Sequence, residues 1–251
     1  MLYHYLRDTL TREERAMALA KAREYGRKLY DFSVLQKRYA TGMGHISSHE
    51  SGTLLGLGVA AMVFWDEIPE ARRWLAWTHG RMLAGARAGP RDGRHPWSTY
   101  GPNFLTFYAC AVRDFAGADM FGIPFMRNLV PALLRSAQPC QFEYDWNMLW
   151  IMAAFATYRG TPAAAWAWHH LWALQSRKRG KEHFLGWQDM LWHSRQPGRK
   201  PGANFHKSHL FKDTGVALMR TSDEPASLCC IYQSGFAFGQ ATNLKQRRRF
   251  G

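Results

Sequence analysis

Two polar stretches of this chain carry side chains able to move protons. The first, Gly44-His45-Ile46-Ser47-Ser48-His49-Glu50-Ser51-Gly52, runs directly into an apolar segment. Free N–H groups at the start of a helix favour an anion, so imidazole and hydroxyl groups placed there suit a carboxylate-bearing substrate. The same residues also read as a helix start with Ser48 and His49 as caps, and spacing alone does not separate the two readings.

The second stretch, Asp92-Gly93-Arg94-His95-Pro96-Trp97-Ser98-Thr99-Tyr100-Gly101, gathers a guanidinium, an imidazole, an aromatic platform and a phenol ahead of another apolar segment. Its plainer reading is a Trp/Tyr-rich loop packed on its neighbour. If the helices alternate between an inner and an outer layer, both stretches open at the same end, and His49 and Tyr100 share one cleft.

The elements that must position these residues are mostly helical. Thr11 followed by Glu14 forms a capping box, which predicts a helix over 11–39 with Ala18, Tyr25, Leu29 and Phe32 at roughly helical spacing. Residues 51–65 are apolar nearly all round and predict a buried inner helix, whereas 70–86 interleave Trp74, Trp77 and Leu83 with Arg72, Arg73 and Arg81, an amphipathic outer one. Further helices are expected over 102–115, 123–136, 144–158, 162–177 and near 185–193, with turns at Gly117-Ala118-Asp119 and Arg159-Gly160-Thr161. Short connections between helices of this length predict stacked αα-hairpins.

Beyond Pro197 the texture changes. Gly198, Pro201 and Gly202 read as a linker, and residues 216–220 and 228–232 as strands joined through Ser222-Asp223-Glu224-Pro225. A lone hairpin is marginal in water, so the expectation is a helical domain over 1–196 and, over 197–251, the linker and first strands of a truncated β-sandwich-like domain. The fold class expected is mainly α: an incomplete α/α-toroid followed by a short antiparallel β segment.

Composition narrows the function. With 251 residues, 47% of them hydrophobic, the chain buries a core, and it has no unbroken apolar run near the length of a membrane span. The N-terminus carries no readable secretory signal. A formal charge of +14 attracts polyanions, either acidic polysaccharide or nucleic acid, although runs such as 177–179 and 247–249 also read as solvated ends. No nucleic-acid motif is visible and neither nucleic acid nor membrane is expected as a partner. The cysteines Cys110, Cys140, Cys229 and Cys230 lack metal-ligand spacing, and His206 and His209 have no matching acidic or thiol cluster, so neither metal nor cofactor is expected. The adjacent His169 and His170 point in different directions on a helix and read as packing.

The order of these features resembles the heparinase II/III-like polysaccharide lyases. It comprises the Ser48-His49-Glu50 turn, the apolar helix, the outer helix, Asp92-Gly93 with Pro96 and Tyr100-Gly101, the run over 104–121, and Phe211-Lys212-Asp213-Thr214-Gly215-Val216-Ala217-Leu218-Met219-Arg220. The resemblance spans about residues 13–239. It implies β-elimination on a uronic-acid polymer, with Tyr100 as general acid, or as both acid and base, and His49 taking or steering the C5 proton. Carboxylate and sugar contacts would fall to Ser48, Glu50, His45, Arg94, His95 and Trp97. The family often has Asn where Ser48 stands. Its glycine-led, histidine-bearing stretch is replaced here by residues 235–243 and a basic end, so part of the site, and any metal of the β-domain, is expected to be missing from a fragment. Localisation implied for the intact parent is periplasmic or extracellular. Two other functions fit the residues: a toroidal glycosidase with Glu50 and Asp92 as its carboxylates, and a non-catalytic polyanion or carbohydrate binder. An unsaturated, ultraviolet-absorbing product would mark elimination and exclude hydrolysis.

Overall fold

The structure is a computed structural model, and it describes residues 3, 6–36, 48–93, 100–136, 146–179, 198–201, 208–221 and 229–233. The described helices are α1 (Arg12–Gln36), α2 (Ser48–Val63), α3 (Ala71–Ala88), α4 (Tyr100–Ala116), α5 (Pro124–Ser136), α6 (Trp146–Arg159) and α7 (Pro162–Arg179). They are followed by strands β1 (His209–Phe211), β2 (Val216–Arg220) and β3 (Cys229–Gln233). The protein is mainly helical with a short antiparallel sheet. The expected helix at 185–193 lies outside the described residues.

Local chemistry starts and stops the helices where the sequence predicts. The Thr11 hydroxyl accepts the Glu14 N–H at 3.2 Å, and the Glu14 carboxylate accepts the Thr11 N–H at 2.8 Å, a reciprocal cap that satisfies two otherwise orphaned donors. Gly117 and Gly160 end α4 and α6 at φ of 68° and 58°, a left-handed conformation open to glycine without penalty.

The buried stripe of α1 differs from the expected one. Tyr25 and Phe32 are 59% and 50% exposed, whereas Leu29 packs inward as expected, joined by Leu19, Ala22, Gly26, Tyr30 and Ser33. The reason is Trp74 of α3, which lies across Gly26 so closely that an added Cβ would come within 2.3 Å of its ring. A small residue is required where a hydrophobic-only reading looks for a large one. Gly26→Ala is therefore expected to lower stability by about 1–3 kcal/mol through overpacking, measurable as a drop in the denaturant midpoint.

Contacts fix the order and direction of the helices. Gly52 and Gly58 of α2 face Phe104 and Tyr108 of α4, so position rises along both and the two helices run parallel. Asn103 and Phe107 of α4 meet Asn147 and Trp150 of α6, again in parallel. The intervening helix α3 returns antiparallel: Arg81 reaches Glu50 at the start of α2, while Thr78 lies against Gly58 farther along. Helices α2, α4 and α6 thus form one row, and α3, α5 and α7 touch one another in sequence beside it. The main core fills the space between, built on Leu54, Tyr108, Phe121, Met126, Leu129, Met152 and Trp168.

The strands form a sheet in the order β1-β2-β3, antiparallel throughout, with Leu210 opposite Ala217 and Ala217 opposite Tyr232. The hairpin of β2 and β3 matches the expectation; β1 adds a strand ahead of it. Alternation buries Phe211, Val216 and Leu218 against Ala132 of α5 and leaves Leu210, Met219 and Tyr232 exposed. Part of the expected linker is tied down, because the Arg199 N–H donates to the Pro162 carbonyl at 3.1 Å and Gly198 lies against the first turn of α7.

Candidate functional site

Residues Ser48 and His49 open α2 and Tyr100 opens α4. Because α2 and α4 are parallel neighbours, these first turns lie at one end of the helical row, and the start of α6 at Trp146 and Asn147 lies at that end as well. Three helix N-termini there turn the positive ends of their dipoles the same way, a setting that favours an anion. The side chains of Ser48, His49 and Tyr100 lie outside the described residues, as do His45, Arg94, His95 and Trp97 altogether.

Glu50 is described and is fully engaged within the protein. It is 3% exposed, and both Nε of Arg81, at 3.1 Å, and an Nη of the same guanidinium donate to its carboxylate. This pair fastens the start of α2 to α3. It also leaves Glu50 almost no surface open to solvent, so its place is beneath the helix start.

The next turn of the row holds a feature that sequence reading missed. The Asn103 side-chain amide donates to Asn147 Oδ1 at 2.8 Å, joining α4 to α6, and Asn103 is 1% exposed. Its own carbonyl oxygen is buried with no hydrogen-bond donor. The available signal was an Asn three residues after Tyr100 in an otherwise apolar helix. Deeper along α4, the Tyr108 hydroxyl lies 3.4 Å from His79 Nδ1, and burial pushes that phenol well above its ordinary range, so it stays protonated. Cys110 is buried, and desolvation likewise keeps its thiol protonated and unreactive.

The stretch that leads toward Tyr100 is pinned at its stem. Asn128 donates to the Arg91 carbonyl at 2.6 Å. Gly93, at φ 80°, lies so close to the Asn128 carbonyl that a Cβ would come within 2.2 Å of its oxygen. Asp92 and Asp213 then exchange bonds: the Asp92 N–H donates to the Asp213 carboxylate at 3.3 Å, and the Asp213 N–H donates to the Asp92 carboxylate at 3.0 Å. Asp92 thereby serves as a bracket between the helices and the β1–β2 turn.

Charge is partly compensated on the outer side. Arg15 pairs with Glu67, and Arg23 and Arg27 pair with Glu70, whose carboxyl is held down to about 2, chiefly by its hydrogen bond from Arg23. His169 stands edge-on to Trp168, and His170 stacks on Trp166 with ring centres 5.1 Å apart, as the packing reading expects. Among the described residues, no group of three or more His, Cys, Asp or Glu side chains is placed to hold a metal ion, and no helix is long and apolar enough to cross a membrane.

No protein-family model and no curated protein matches the chain. Its function is therefore read from the arrangement itself.

At the seam between helices and sheet, Arg135 Nη1 lies 3.4 Å from His209 Nε2. A guanidinium only donates, so this contact requires a neutral imidazole. Desolvation, then the charge of Arg135, lowers the His209 pKa, and Asp92 opposes the shift weakly. The unfolded imidazole takes its proton at a pH of about 6.5, while the folded one resists until a lower pH. Between those values the unfolded chain binds more protons, so stability falls as pH drops through the window and levels off below it. Denaturant titrations across pH 7 to 4 are expected to show this slope, and His209→Gln to flatten it.

Proposed function

We propose that this protein is a polysaccharide lyase-like α/α-toroid segment that cleaves a uronic-acid polymer by β-elimination. The observation that supports the reading best is the placement of Ser48–His49 and Tyr100 on the first turns of two parallel, adjacent helices. The row α2-α4-α6 would be the inner layer of the toroid, and α3, α5 and α7 the outer layer, with the cleft at the inner N-termini.

The chemistry asks three things of that cleft. The C5–H of a uronate is weakly acidic until the charge of the adjacent carboxylate is masked, and helix N–H groups with the Ser48 hydroxyl would mask it. His49 removes the C5 proton, and its electron pair forms the C4=C5 double bond. The C4–O bond then breaks, and Tyr100 gives a proton to the departing oxygen. Protons and electrons balance without oxidant or metal.

The glycosidase alternative is less well supported. It needs two carboxyl groups flanking the bond, whereas Glu50 is enclosed against Arg81 and Asp92 accepts the Asp213 amide. Incubation with a panel of uronic-acid polymers tests the proposal. Growth of ultraviolet absorbance from an unsaturated uronate is expected, and new reducing ends without that absorbance would overturn it.

A further inference from the structure

We infer that the outward face of α1 is the contact surface of a two-fold, antiparallel dimer of this chain. Leu19, Ala22, Gly26, Leu29 and Ser33 turn inward, which leaves the opposite side of this 25-residue helix to solvent. Along that side stand Met17, Lys21, Glu24, Lys28, Asp31 and Leu35, spaced alternately by four and three residues, the spacing of a helix–helix seam. Met17 and Leu35 are 64% and 51% exposed, and the exposed rings of Tyr25 and Phe32 widen the apolar surface on one flank. Single exposed apolar residues are ordinary, but four along one stripe mark an interaction surface.

The order of the charges fits a second copy. When the stripe is laid against itself running the other way, Met17 faces Leu35, Lys21 faces Asp31 and Glu24 faces Lys28, and the two-fold axis repeats each contact. Every ion pair joins opposite signs, and both ends are apolar. Laid parallel, the same stripe sets Lys21, Glu24, Lys28 and Asp31 each against its own copy, four like-charge contacts that oppose association. Lys21 and Lys28 bond to Glu24 within the helix at 3.0 and 2.7 Å, and the carboxylate retains lone pairs for a lysine of the second copy. Antiparallel helices also set like flanks together, so Tyr25 comes beside its own copy near the axis. Arg27 does the same on the other flank, where its charge is met by Glu70 of its own chain. Exposed ion pairs add little affinity but fix direction and register, so the dimer is a reversible one held by its apolar residues.

Sedimentation velocity of the full chain at physiological salt, where the +14 charge of each copy is screened beyond about 8 Å, tests the dimer. The sedimenting mass is expected to rise across the micromolar range from one chain towards two. Glu24→Lys brings cations together across the axis and Lys28→Glu brings anions together, so each variant alone should associate at least about tenfold more weakly. An equimolar mixture of the two variants sets opposite charges at each of these contacts again, and only between different chains, so it should dimerise as the wild type does. Circular dichroism checks that both variants keep their helices; should either fail to fold, Met17→Lys and Leu35→Glu repeat the design at the ends of the stripe. A wild type that stays monomeric overturns the inference and leaves the stripe to a different partner. A dimer that survives both reversals places the contact on another face and overturns it too, as does a loss in both variants that mixing does not recover.

Discussion

Replacing Tyr100 by Phe is expected to lower the elimination rate by about 10²- to 10⁴-fold, the range over which a positioned general acid contributes. The substitution removes one oxygen and leaves the ring, so the first turns of α4, which hold Pro102 and pack through Phe104 and Leu105, should remain as they are. On the proposed lyase reading, substrate binding would rest mainly on the helix ends and on Ser48, so kcat should fall while KM stays close to its starting value. The check is a steady-state rate measurement by ultraviolet absorbance, with circular dichroism to show that the helices persist. A variant that retains full rate would remove Tyr100 from the chemistry.

The largest effect on stability is expected at Arg81. Replacing it by Met leaves the Glu50 carboxylate buried without its guanidinium, and breaking a buried pair from one side costs about 3–5 kcal/mol. Arg81 is a quarter exposed on its side chain, which places the effect at the lower end of that range. The double variant Arg81→Met with Glu50→Gln should recover much of the loss, because no uncompensated charge remains. Urea denaturation of the two single variants and the double variant measures the coupling. A loss below about 1 kcal/mol for Arg81→Met would place the pair with ordinary surface ion pairs.

The helices were largely legible because their signals are local. The capping box at Thr11 and Glu14, the turn glycines Gly117 and Gly160, and the apolar runs of α2 and α6 each act within a few residues of themselves. The β2–β3 pair was legible from two short strand-like runs and the turn-prone residues between them. What escaped depends on distant partners. Glu50 reads as a polar loop residue until Arg81 is seen against it. Asn103 reads as a minor interruption of an apolar helix until Asn147 arrives from 44 positions later. Tyr25 and Phe32 fall at helical spacing with Leu29, yet Gly26 and Ser33 turn inward in their place, since the shape of Trp74 and a hydrogen bond from Trp77 to Ser33 decide which face is covered. Of the expected site residues, the structure describes the side chains of Glu50 and Asp92 alone.

The bracket between Asp92 and Asp213 spans 121 positions. The αα-hairpins that make up most of this chain can close as soon as each helix pair has emerged from the ribosome, since their contacts are near in sequence. The bracket must wait until the β1–β2 turn has been made. Synthesis would therefore deliver the described helices before the sheet that closes the bracket, and the stretch at Asp92 would gain its second hold only after the β1–β2 turn is made.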